Sequence, residues 1–151
     1  MANIETAIMM FTSSVVQGGI VQAARQVRTG QVSSPTTGSC PSPGTAATIP
    51  AAFSNAVCNN LFGQVACSSL TYDVRSYNSF SAANTAWTPT LDIHGNPTNN
   101  CFDTGGSSGI VTIRVAYNYS FITPGLGSLL GTGVSNGVAF VYTVIIQNEP
   151  F

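Results

Sequence analysis

Apolar residues recur at steps of three or four from the beginning of the chain: Ile4, Ile8, Phe11 and Val15, then Val16, Ile20, Ala24 and Val27. On a helix of 3.6 residues per turn these positions form one slowly drifting stripe, which predicts a helix of about seven turns over residues 4–30. Asn3 is placed to cap its start, and Gly30 to take the left-handed position just past its end. Arg25 and Arg28 fall in the last turn, where the negative end of the helix dipole favours cations. Gly18 and Gly19 interrupt the pattern. Each costs about 1 kcal/mol relative to alanine inside a helix, so a bend or a close backbone approach is expected there.

Further along, the period changes to two. Leu70, Tyr72 and Val74 alternate with Thr71, Asp73 and Arg75, as in a half-buried strand over residues 70–77. The clearest alternation runs over residues 109–121, with Val111, Ile113, Val115, Tyr117, Tyr119 and Phe121 on one face and Thr112, Arg114 and Asn118 on the other. Arg114 is expected to pair with Asp73 across these strands, as an exposed pair contributing at most about 1 kcal/mol. Residues 138–147 are apolar on both faces, which predicts a central strand or one covered on its second face, the N-terminal helix being the natural cover. A short second helix is predicted where Phe53, Val57 and Leu61 recur every four residues, with Thr48 as its cap and Pro50 in its first turn. Prolines and glycines break the chain between the first helix and Thr48, and a second long loop spans residues 79–108. A structureless stretch that long is unusual, so a short strand is expected around residues 86–93. Residues 124–136 form a glycine-rich connection with a small contact at Leu129 and Leu130. The fold class is α+β: a long N-terminal helix, residues 1–30, packed on the antiparallel sheet of a globular part, residues 31–151.

With 151 residues the chain is one domain by size, and it is poorly charged: 6% of its residues, against about 25% in average proteins. It has no lysine, and its net charge of −1 lacks the electrostatic footprint of a nucleic-acid binder. Such a surface suits packing against other protein. The four cysteines, Cys40, Cys58, Cys67 and Cys101, contain no C-x-x-C pair and share the chain with a single histidine, which disfavours a metal cage. Two disulfides formed in an oxidising compartment fit better. Three pairings are possible; Cys58–Cys67 across a short loop, with Cys40–Cys101 tying two long loops, is favoured. No unbroken run of about 20 apolar residues is present, so export would require an upstream segment.

Fragments of catalytic motifs occur without their contexts. Gly105, Ser107 and Gly109 spell G-x-S-x-G, but a strand follows where a nucleophile elbow needs a helix. Asp103-Thr104-Gly105 matches the aspartic-protease triplet without a second copy to share the proton. Asp92, His94 and Asp103 could supply a two-carboxylate, one-histidine metal set, yet lie in a Pro-, Gly- and Asn-rich loop where Asp ordinarily makes turns. Gly125 and Gly127 begin a G-x-G-x-x-G whose third glycine is Leu130. The residues thus point to no cofactor and no catalysis. A virion or fibre β-domain binding a surface remains an alternative on composition, and a small secreted hydrolase using Ser107 or Asp103 a weaker one.

The segment Ala23-Ala24-Arg25-Gln26-Val27-Arg28-Thr29-Gly30-Gln31, Val57-Cys58 with Cys67, the Asp73-Val74-Arg75 strand, the Arg114/Tyr117/Tyr119 strand and the terminal Asn148-Glu149-Pro150-Phe151 follow one another in an order that resembles the TadE-like family of the tight-adherence (Flp, type IVc) pilus machinery. The likeness spans nearly the whole chain. It implies a pilin-like minor subunit, anchored in the inner membrane through an N-terminal apolar helix, working outside the cytoplasm in pilus assembly or adherence, with other pilin or assembly subunits as partners and no catalysis. At the front the chain departs from the family, whose members carry a full hydrophobic span; residues 4–11 are expected to be the tail of that span, and Glu5 a residue late in it. On this reading Ile4, Ile8, Met9, Phe11 and Val15, furthest from the globular part, are the expected subunit-contact residues.

Overall fold

The computed structural model describes residues 2–33, 40, 47–84, 98–130 and 137–150. Its elements are α1 (Ala2–Arg28), α2 (Ala51–Cys58), β1 (Leu70–Tyr77), the single turn α3 (Phe80–Ala83), β2 (Ile110–Ser120), α4 (Leu126–Leu130) and β3 (Gly137–Gln147). The three strands form one antiparallel sheet in the order β1-β2-β3, with Asp73 opposite Arg114 and Arg114 opposite Thr143. α1 and α2 lie on the sheet face that carries Tyr72, Val74, Ile113 and Val115. This is the expected α+β layout: a long N-terminal helix on an antiparallel sheet, with short helices and disulfide-tied loops.

Several local expectations give way to the structure. α1 already includes Ala2, so Asn3 lies within the helix and does not cap it. Pro50 occupies the N-cap of α2, where its carbonyl accepts from the amides of Phe53 and Ser54, and Thr48 has no part in it. α2 belongs to the main core, where Phe53, Ala56 and Val57 are buried. Phe53 meets Tyr72 and Phe102 edge to face, with ring centroids 5.5 and 5.2 Å apart. The strand expected around residues 86–93 falls outside the described residues. What the sequence does not announce is a single parallel bridge that seats Phe102 beside Val74, on the free side of β1.

α1 ends as its sequence requires. Gly30 takes φ 71°, the amide of Gln31 reaches the carbonyl of Gln26 at 2.9 Å, and that of Gly30 reaches Val27 at 3.0 Å. These two bonds satisfy the last carbonyls of the helix in the Schellman arrangement. Of the two helix glycines, Gly19 is the close approach: a Cβ there would lie 2.8 Å from the carbonyl oxygen of Val57 in α2, whereas Gly18 faces open space.

The far face of the sheet departs most from expectation. Asp73 and Arg114 pair at 3.1 Å but are buried, at 1% and 4% exposure, not solvent-exposed. Asp73 also accepts from Arg75 Nε at 3.0 and 3.1 Å and from the amide of Cys101 at 2.9 Å. Arg75 in turn donates to the carbonyl of Asn99 at 2.7 Å. A carboxylate taken out of water is tolerable because each of its oxygens has charged or backbone donors. The disulfides are those favoured, Cys40–Cys101 and Cys58–Cys67. The first fixes the segment that supplies the Cys101 amide to Asp73. Beside the second stands the Tyr72 hydroxyl, 3.7 Å from Cys58 Sγ and 3.9 Å from Cys67 Sγ, and burial pushes its pKa up to about 12.

Among the described residues β3 is an edge strand, not a central one, and α1 covers only one of its faces. Tyr142, Val144 and Ile146 turn toward the core, while Val141 and Ile145 on the other face stay open. Leu129 and Leu130 make no buried contact; Leu129 is 82% exposed.

The glycine geometry predicts opposite effects from two neighbouring substitutions. Gly18→Ala should stabilise the fold by about 0.5–1 kcal/mol, because only helix propensity changes. Gly19→Ala should destabilise it by about 1–3 kcal/mol through overpacking against α2. Urea unfolding of the two variants tests this, and a stabilising shift in both would rule out the close approach.

Candidate interaction surface

The predicted stripe on α1 divides at Val15 and Val16. Val16, Ile20, Ala23, Ala24 and Val27 are buried against the sheet and α2, whereas Ile4, Ile8 and Phe11 are exposed. At 100° per residue the buried positions Glu5, Met9, Thr12, Val16, Ala23 and Val27 share one side of the helix. Ile4, Ile8 and Phe11 share another, rotated by about a quarter-turn. The five expected contact residues therefore separate: Ile4, Ile8 and Phe11 are open to a partner, and Met9 and Val15 are buried within their own chain. Met9 packs with Tyr119 and Phe121, flanked by Leu126, Val138 and Phe140.

Glu5 is held by the chain itself. Its carboxylate accepts from the amide of Ile122 and, at 3.1 Å, from that of Thr123, where the chain leaves β2. A hydrogen bond from the Thr123 side chain is the largest influence on its pKa, the two amides add to it, and desolvation opposes them; the net effect is a pKa below the ordinary 4.5. Three hydroxyls of this half-helix are also occupied. Thr12 donates to the carbonyl of Ile8 at 2.8 Å, Ser14 to that of Met10 at 3.1 Å, and Ser13 accepts from Tyr142 at 2.7 Å. The large side chains of this half-helix that face solvent are apolar: Ile4, Ile8 and Phe11, with Met10 on a separate side. α1 is also long and apolar enough to cross a membrane by length and composition, although polar residues interrupt its apolar run.

The other end of α1 meets the chain terminus. The amide of Glu149 donates to the carbonyl of Arg28 at 3.0 Å, and the two side chains pair at 3.3 Å while about half exposed. Asn148 is buried, and its side chain donates to the carbonyls of Thr104 and Gly106 at 2.8 and 3.0 Å. These contacts clasp the loop that holds the G-x-S-x-G fragment. Ser107 is exposed in a tight turn that leads into β2, with Gly105 at φ 62° packed against Ser76. Asp103 accepts from the Ser76 hydroxyl and from the amide of Gly105, so the D-T-G fragment is turn-forming. Asp92 and His94 lie outside the described residues, and among those described no three His, Cys, Asp or Glu gather as a metal site would need.

The capture of Glu5 and the clasp by Asn148 were missed from the sequence. For Glu5 a signal existed: it extends the Met9, Thr12 and Val16 row by one turn, so it belongs to the buried side of the helix. The clasp by Asn148 has no local signal, since its partners lie more than forty residues away.

Because the folded pKa of Glu5 is depressed, its contribution to stability is present above the ordinary carboxylate pKa of 4.5 and is lost as pH falls through the folded value. The NMR amide resonances of Ile122 and Thr123 should shift together in that acid range and stay fixed above it. In Glu5→Gln that transition should vanish; its persistence would assign the titration to another group.

The chain matches no protein-family model, no curated protein and no solved structure, which leaves the geometry above as the ground for a functional reading.

Proposed function

We propose that this protein is a non-enzymatic, pilin-like minor subunit of the TadE-like kind, acting in the assembly of a tight-adherence pilus by packing against other subunits. One observation carries the reading: a single long helix gives its second half to its own core and keeps Ile4, Ile8 and Phe11 of its first half open, beside polar groups already hydrogen-bonded internally. An exposed apolar stripe of this kind marks an interaction surface. Burying the exposed part of three such side chains against neighbouring helices is worth about 1–2 kcal/mol each before the costs of association. That is enough for a contact repeated along a filament.

Two further features support the reading. The two disulfides suit an oxidising, extracytoplasmic setting, which for this function is the periplasmic side of the inner membrane or the cell-surface pilus. The two segments that resemble the TadE-like family most specifically, around Arg28 and around Glu149, meet in space through a backbone hydrogen bond and an ion pair. They form one structural unit joining the helix end to the chain terminus. The function needs no cofactor, no metal and no nucleic acid, and its partners are other pilin or assembly subunits.

Ile8→Asp and Phe11→Asp should each leave the unfolding free energy, measured in urea, within about 0.5 kcal/mol of the parent, since surface substitutions change stability little. Pilus formation by cells producing either variant, scored by electron microscopy, should be lost. Normal pili, or loss of folding in both variants, would contradict the reading.

A further inference from the structure

The free edge of β3 is built to accept another strand, and we infer that its occupant is the β3 strand of a second copy of this chain. Among the described residues β3 pairs with β2 on one side and with no strand on the other. Its eleven residues, GVAFVYTVIIQ, pair with β2 without interruption, so no bulge bends the edge away. They contain no charge and no proline. Natural edge strands are usually protected by a lysine, a proline, a bulge or shortness, and this strand has none of the four. A row of outward N–H and C=O groups selects an extended backbone as its partner.

The core is also left unfinished on this side. In the β2 strand Val111, Ile113 and Val115 are fully buried, whereas their register partners Ile146, Val144 and Tyr142 on β3 are only partly covered. On the far face Val141 and Ile145 remain 47% and 39% exposed around the exposed Thr143. An added strand would cover both rows at once.

Self-pairing follows from the pattern of the strand. An antiparallel pair about a twofold axis through Thr143 sets Val141 opposite Ile145 of the second copy, and Thr143 opposite itself. On the core face the same register sets Tyr142 opposite Val144 and Phe140 opposite Ile146. All are apolar or β-branched pairs of the kind that stabilise sheets, and no like charges meet. A twofold axis perpendicular to the sheet keeps both α1 helices on the same side, so the two half-covered rows join in one six-stranded sheet. This contact uses none of the helix residues invoked for subunit packing.

The test is the mass of the protein by light scattering after gel filtration, in the Phe11→Asp background so that the helix stripe does not contribute. The parent in that background should run as a dimer. Thr143→Lys and Thr143→Glu, each adding like charges at the axis on an already exposed position, should each run as monomers with unchanged circular dichroism. Mixing the two variants should restore a dimer, because Lys then faces Glu. A monomeric parent would overturn the inference and leave the edge to a strand of another protein or to none. A dimer that survives both charge variants, or a mixture that stays monomeric, would overturn it equally. Failure here leaves the helix contact untouched, since that contact is read from the Ile8→Asp and Phe11→Asp cells.

Discussion

The close seating of α1 on the sheet and α2 sets the positions of the other elements. Val16, Ile20, Ala23 and Val27 supply its buried side, and the bare backbone at Gly19 lets α2 come within contact of the helix. With α1 fixed at that depth, its C-terminal end stands beside the chain terminus, where Arg28 and Glu149 join. Its first turns are carried across the end of β2, where Glu5 meets the amides of Ile122 and Thr123. The apolar stripe at Ile4, Ile8 and Phe11 is then presented outward from a rigid mount. A flexible tail carrying the same residues would have to be ordered at the moment of association, at a cost in entropy.

A chain with so few charges uses several of them inside the fold. Asp73 and Arg114 form a buried pair on the far sheet face, joined by the partly exposed Arg75 and closed by the Cys101 amide. The Cys40–Cys101 disulfide fixes the segment that supplies this amide, so the cross-link and the ion cluster support one another. A surface poor in charge presents little repulsion to neighbouring protein. The same economy leaves β3 without the charged guards that would keep its edge solitary.

Much of this architecture was legible in the sequence because it depends on local periodicity. The bounds of β1 are those the alternation predicts, and β2 and β3 differ by a residue. Gly30 behaves as a helix-ending glycine, and the cysteine spacing favoured the observed pairing. What the sequence withheld is relational. A period of 3.6 locates apolar positions but does not say which part of a drifting stripe a sheet will cover, so Met9 and Val15 were grouped with Ile4, Ile8 and Phe11. Strand order is likewise not written in a strand: β3, apolar on both faces, reads as central, yet only the core-facing row has a cover. Asp73 and Arg114 read as a surface pair because alternation alone does not reveal what lies over the second face.

The division of labour along α1 is the central claim, and native-state hydrogen exchange across that helix tests it most directly. In the isolated chain, amides over residues 16–28 should exchange only with global unfolding, while those over residues 4–11 exchange sooner through local opening of turns covered on one side. In assembled material the early turns should gain protection and the later ones should not. Uniform protection along α1 in the isolated chain, or no change in residues 4–11 on assembly, would contradict the account.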